Sequence, residues 1–189
     1  MADFVIKTPI FTGSYVNLFR PRASEEGKEP KYSICMLYKK EDFEAGKLKD
    51  LEKAIIQTAQ KKFGPKAEAM LKTGKIRGWF RDGDVEKPES PEYAGMVFLN
   101  ASTTRKPGVV DKSLQPVMSE EDAYSGCLFR ASLGLFAYDK AGNKGVGFGL
   151  RNVLVVEKGE RIDGRRSAAA DFAEFAEDGT AADGDDVLD

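Results

Sequence analysis

The chain has 189 residues, 41 % of them hydrophobic, and a formal net charge of −2 without a single histidine. That length and apolar share support one domain with a genuine core. The missing imidazole excludes Ser-His-Asp and Cys-His nucleophile pairs, histidine-ligated zinc and histidine acid-base chemistry, so a catalytic reading has only carboxylates and lysines to work with.

The opening stretch MADFVIKTP lacks the apolar run of a signal peptide, and no later run reaches the roughly 18 apolar residues that span a bilayer. A soluble, cytoplasmic protein is expected, with no membrane partner. In IFTGSYVNLFRP (10–21) residues alternate, with Ile10, Thr12, Ser14, Val16 and Leu18 on one face and Phe11, Gly13, Tyr15, Asn17 and Phe19 on the other. That period of two predicts a strand. After the polar stretch RASEEGKEP, KYSICMLYKK (31–40) predicts a second strand and hence a hairpin with a long loop.

The period then changes. Leu48, Leu51, Ile55, Ala59 and Phe63 fall at helical spacing, and Gly64-Pro65 supplies a stop, so helices are predicted at about 44–63 and 65–73, the second ended by Gly74. The lysines Lys47, Lys49, Lys53, Lys61 and Lys62 interleave with Glu44, Asp50 and Glu52 and read as a solvated helix face. IRGWFRDGDVEKPESPEYAG reads as loop, leading into the strand YAGMVFLNAST and a second loop, RKPGVVDKSLQPVMSEEDAYS.

GCLFRASLGLFAYD carries the strongest strand signal: Cys127, Phe129, Ala131, Leu133, Leu135 and Ala137 form one apolar face, with Arg130, Ser132, Gly134, Phe136 and Tyr138 opposite. The turn DKAGNKG leads to VGFGLRNVLVVEKGERI, where Val146, Phe148, Leu150, Leu154 and Val156 are expected to share a face. Five or six strands with one helical insertion predict a small barrel or curled antiparallel sheet. Cys35 and Cys127 lie in apolar runs rather than at metal-ligand spacing, and buried free thiols are expected.

From Asp171 onward the chain has 8 acids and no base, which leaves 23 acids against 29 bases in residues 1–170, a net of +6. Residues 167–189 are too poor in apolar groups to offset the entropy of ordering, so a disordered acidic tail is expected after a domain spanning 1–166.

Several clusters bear on function. Gly145, Gly147 and Gly149 lie within an alternating strand rather than between a strand and a helix, which argues against a nucleotide-phosphate cradle and for close packing or close approach of a ligand backbone. KIRGWFRDGD places Trp79 and Phe80 beside Arg77 and Arg81 in a loop, either to anchor it to the barrel or to stack on a base. Rings on a sheet face can stack on unpaired bases while nearby cations neutralise phosphate. By that logic Tyr15, Phe19, Phe136 and Tyr138 are candidate stacking residues, and Arg105, Lys106, Arg130, Lys144 and Arg151 join Arg77 and Arg81 as candidate phosphate contacts. Asp82, Asp84 and Glu86 lack the later glycine and glutamate of a calcium loop, so no metal and no cofactor is assigned.

In the order of FTGSYVNLFRP, KYSICMLYKK with its following helix, RDGD, FLNASTTRKPGVVD and SGCLFRASLGLFAYDKAGNKGVGFGLRNVLVV, the chain resembles the single-stranded-DNA-binding proteins of tailed bacteriophages. The resemblance implies an OB-fold barrel and sequence-independent, non-catalytic binding and protection of single-stranded DNA during phage replication or recombination in the host cytoplasm. It further implies an acidic tail that recruits replication or recombination proteins. The +6 body and the 8-acid tail add the expectation that the tail competes with DNA, and a homodimer is a further candidate partner. Such tails often finish on an aromatic residue, whereas this one ends DDVLD, so Phe172 and Phe175 with Asp183, Asp185, Asp186 and Asp189 are the candidate partner-binding residues. Two other classes stay open: a virion structural or assembly protein, whose two-faced strands would bury against neighbouring subunits, and a metal-dependent nucleic-acid enzyme using Asp82, Asp84 and Glu86. Strand annealing is a closer relative of the first reading.

Overall fold

The computed structural model describes residues 4–164, 166 and 168–176. Eight strands form one sheet: β1 (Phe4–Lys7), β2 (Phe11–Arg22), β3 (Lys31–Lys39), β4 (Arg81–Asp82), β5 (Met96–Thr103), β6 (Gly108–Val110), β7 (Leu128–Lys140) and β8 (Asn143–Glu157). Pairing runs from β7 to β2, β3, β5 and β8, and β8 pairs back to β7, so five strands close a ring. Closure leaves none of the five as a free edge. β1 adds to β7, β4 to β5 and β6 to β8. Most pairs are antiparallel, but β5–β8 and β6–β8 are parallel. This is the mainly β, OB-fold-like barrel the sequence predicts, with the helices inserted between β3 and β5.

Alternation fills the barrel. Phe129, Ala131, Leu133 and Leu135 of β7 point into the core with Ile34, Met36 and Tyr38 of β3. β3 is buried on both faces, because Cys35 and Leu37 pack against Tyr93 and Phe98 on the other side. Both cysteines are buried and free.

Helix α1 (Lys40–Glu44) is separate from α2 (Lys49–Phe63), which corrects the expected helix over 44–63: Gly46 at φ +78° turns the chain between them. The buried residues of α2 are Leu51, Ala54, Ile55, Thr58 and Ala59, an i, i+3, i+4, i+7, i+8 stripe. That stripe lies against β1, β7 and β8. Gly64 at φ +84° ends the helix, and the short α3 (Ala67–Lys72) follows.

Two bulges reset the expected strand faces. In β2 the register shifts between Ser14 and Asn17, where Tyr15 adopts φ +45°, so Phe11 and Leu18 are both buried although simple alternation puts them on opposite faces. Phe11 packs in the core 6.0 Å from the ring of Phe129 and is no part of a ligand face. In the β7–β8 pair Ser132 faces Asn152 while Leu133 faces Leu150, which leaves Arg151 as the extra residue. Beyond it the inward positions are Val153 and Val155 rather than the expected Leu154 and Val156.

Two parts of the expected loops form short strands, β4 and β6, and FVIK at the start pairs as β1. Of the expected tail, Ala168–Asp171 is one helical turn (α4), followed by a 3₁₀ turn at Ala173–Phe175. Asp183, Asp185, Asp186 and Asp189 lie outside the described residues. Among the described residues no helix is long and apolar enough to cross a membrane.

Candidate nucleic-acid interface

The outward face of β7 and β8 is where the glycines matter. Gly145 pairs with Tyr138, Gly147 with Phe136 and Gly149 with Gly134. Each bare position admits something a side chain would displace: a Cβ on Gly145 would meet the Arg77 carbonyl oxygen at 2.5 Å, and one on Gly147 would meet Phe136 Cζ at 2.4 Å. The glycines therefore serve close packing, and what packs on them is the candidate site itself.

The segment from Arg77 to Phe80 is a strap across β8. Arg77 N donates to the Lys144 carbonyl and Val146 N donates to the Arg77 carbonyl, both at 2.9 Å. Gly78, at φ +115°, passes so close to Val146 that a Cβ would lie 2.7 Å from its carbonyl oxygen. Trp79 and Phe80 are half-buried: Phe80 lies 4.9 Å from Phe43 and 6.3 Å from Tyr38, and Trp79 meets Phe80 edge-on at 5.4 Å. Both rings anchor the strap to the core cluster, and both also line a cleft of about 1170 Å³.

That first cleft brings together six of the predicted residues: Arg77, Trp79, Phe80, Arg81, Phe136 and Tyr138. Lys31 and Lys72 add cations that sequence reasoning did not select, and Asp82 and Glu86 add carboxylates. Arg81 is engaged by Glu86 through Nε at 2.8 Å and Nη2 at 3.0 Å, and its guanidinium lies 4.9 Å from the Phe98 ring. Phe136 is 39 % exposed and sits 6.4 Å from Tyr138. These two rings also line a second cleft of about 1210 Å³, together with Arg105, Arg151, Lys61, Lys62 and Lys140. Arg151 shares the parity of Gly149 and so stands beside it on the outward face, while the bulge resets the parity of the residues that follow.

Other predicted residues lie elsewhere. Tyr15, 55 % exposed with Lys87 Nζ at 5.6 Å from its ring, and the half-buried Phe19 line a separate cleft of about 600 Å³ bounded by Tyr124 and Arg161. Arg130 donates to the Thr8 carbonyl at 3.3 Å and borders yet another cleft. It shares strand parity with Phe136, but six residues along a strand separate them by about 20 Å. Lys106 is exposed outside both ring-lined clefts, and Lys144 faces Asp139 at 3.8 Å. Phe172 and Phe175 are 64 % and 72 % exposed, with rings 6.4 Å apart.

Asp82 and Asp84, the carboxylates of the metal-enzyme alternative, converge on one cation instead. Lys40 Nζ lies 2.7 Å from Asp82 and 2.6 Å from Asp84, and its hydrogen bonds hold both carboxyls below their ordinary range while raising its own pKa. Glu86 is committed to Arg81. Among the described residues no group of three or more Cys, Asp or Glu side chains could hold a metal ion.

The five-stranded closed ring defines the class, an OB-fold barrel, here with rings and cations lining two clefts on one outer face. More particularly, over residues 5–186 the chain matches, and belongs to, the family described as the Enterobacter phage Enc34 ssDNA-binding protein. The solved structure of the single-stranded DNA-binding protein from bacteriophage Enc34 in complex with ssDNA is similar, at 28 % identity and a TM-score of 0.68, covering 83 % of this chain and 88 % of that one. Gp2.5, a single-stranded DNA binding protein encoded by bacteriophage T7, shares the fold at 14 % identity and a TM-score of 0.58, covering 88 % and 99 %. Putative protein p50 of Acyrthosiphon pisum secondary endosymbiont phage 1 is 35 % identical over 85 residues, 44 % of this chain. The match spans 45 % of that protein's length.

Proposed function

We propose that this protein binds single-stranded DNA without sequence preference and coats it during phage DNA replication or recombination. The observation that carries the reading is the pair Phe136 and Tyr138, rings shared by two cation-lined clefts on one face of the barrel. Unpaired bases stack on the rings, each worth about 1–3 kcal/mol, and Lys and Arg take the phosphates. Duplex bases are already stacked on one another, so the rings favour single strands. The reading is non-catalytic, and the engagement of Asp82 and Asp84 by Lys40 supports it over the metal-enzyme alternative. The host cytoplasm is where such a protein works.

In this reading residues 1–166 form the binding domain and 167–189 a polyanionic extension that competes with DNA for the +6 body. When DNA displaces it, Phe172, Phe175 and the acids after them meet replication or recombination proteins. Trp79, the single tryptophan, reports on the first cleft. Titration of its fluorescence with oligo(dT) and with duplex of equal length should show quenching by oligo(dT) at much lower concentration. Equal response to both, or none, would refute the reading.

A further inference from the structure

We propose that the last turn of α2 belongs to the polynucleotide track: Lys61 and Lys62 carry it beyond the barrel by taking backbone phosphates in the second cleft. This rests on the reading above that the chain binds single strands.

Four segments far apart in sequence deliver cations to that cleft: Lys61 and Lys62 from α2, Arg105 from the loop after β5, Lys140 from the β7 tip and Arg151 from the β8 bulge. Asp139 is the one carboxylate in its lining, and it faces Lys144 at 3.8 Å. Among the described residues none of these five cationic heads has an ion-pair partner, whereas Lys40, Lys47, Lys72 and Arg81 are each paired. A merely solvated helix face keeps its lysines dispersed or paired along the helix. Converging unpaired cations over a concave wall instead costs mutual repulsion and focuses positive potential, which a polyanion relieves.

The placement of the lysines follows from the packing of α2. Its buried stripe on β1, β7 and β8 sets the helix axis, and Gly64 stops it where Lys61 and Lys62 overhang the cleft. Because Phe136 and Tyr138 wall both clefts, a strand stacked on them in the first is delivered to these lysines in the second. A short oligonucleotide fills the first cleft alone, and a longer one engages both.

The test is binding of oligo(dT) from about 4 to about 16 nucleotides, the range of OB-fold site sizes, by the full chain, Lys61→Gln/Lys62→Gln and Lys53→Gln. Lys53 is exposed on the same helix away from both clefts. All three positions face solvent, so folding is unaffected. The double variant should lose affinity only above a threshold length, and its log-log salt slope should shrink by about 1.4, or about 0.7 per lost phosphate. Lys53→Gln should match the parent. Equal slopes in parent and double variant, or an equal loss in Lys53→Gln, would overturn the inference. If the parent shows no binding that depends on Phe136, the underlying function fails instead.

Discussion

The ring of Phe136 lies on the backbone of Gly147, so close that a methyl group there would sit 2.4 Å from Cζ. Glycine is thus the residue that lets this ring lie down between the two clefts. The obstructing atoms belong to the far end of a side chain that is 39 % exposed, so the ring can swing away. Gly147→Ala should leave the melting temperature nearly unchanged while oligo(dT) affinity falls by roughly 5- to 150-fold, the value of one stacking contact of about 1–3 kcal/mol. A large loss of melting temperature with affinity intact would show that the glycine serves only packing.

Gly145 makes the contrasting case. Its missing side chain accommodates the Arg77 carbonyl, a backbone group 2.5 Å from a would-be Cβ, within the two hydrogen bonds that fasten the strap. Gly145→Ala forces backbone to move and should cost about 1–3 kcal/mol, as overpacking does. Because Trp79 rides on the strap, its emission maximum should shift as well, and urea melts followed by tryptophan fluorescence report both.

Lys40 ties α1 to Asp82 and Asp84 at the end of the strap. The folded pKa of each carboxyl is depressed, so this contribution to stability is present above the unfolded value of about 4 and is lost as pH falls through the folded one. Lys40 has a raised pKa, so its share is present below its unfolded value and is lost as pH rises through the folded one. Lys40→Met should therefore be less stable than the parent at pH 7, with the gap closing in strong acid and in strong base. Chemical denaturation across that range checks the shape, and a gap independent of pH would assign the effect to packing.

Burial pushes the Cys35 thiol up to about 11, partly offset by its hydrogen bond with Tyr93. Little thiolate exists at neutral pH, and Cys127 is fully enclosed. A thiol-reactive dye should label neither cysteine in the native protein and both in denaturant.

Removing residues 167–189 takes away 8 acids and leaves a positively charged body. Affinity for oligo(dT) should rise, most clearly at low salt where screening is weak, and the difference should fade toward 1 M salt. Unchanged affinity at low salt would remove the competition between tail and DNA.

Sequence alone determined the elements whose signal is local. Of the expected row, Phe129, Ala131, Leu133 and Leu135 form the inward face of β7, with Cys127 buried just before it and Ala137 only half-buried, and Leu51, Ile55 and Ala59 lie on the buried face of α2, because the side-chain period is a property of consecutive residues. Rings and cations in Arg77–Arg81 and on β7 are likewise close neighbours along the chain, and they mark the candidate face. Only the tertiary structure decided where parity breaks, as at Tyr15 and Arg151, since a bulge is defined by the strand opposite and not by the strand that carries it. It alone decided that three-residue β6 and two-residue β4 pair at all, because segments so short are held by a neighbour rather than by their own propensity. Lys61 and Lys62 read as solvated charge along the helix. Their meeting with Arg105 and Arg151 depends on where the α2 stripe docks on the barrel, a distance in space that no spacing along the chain encodes.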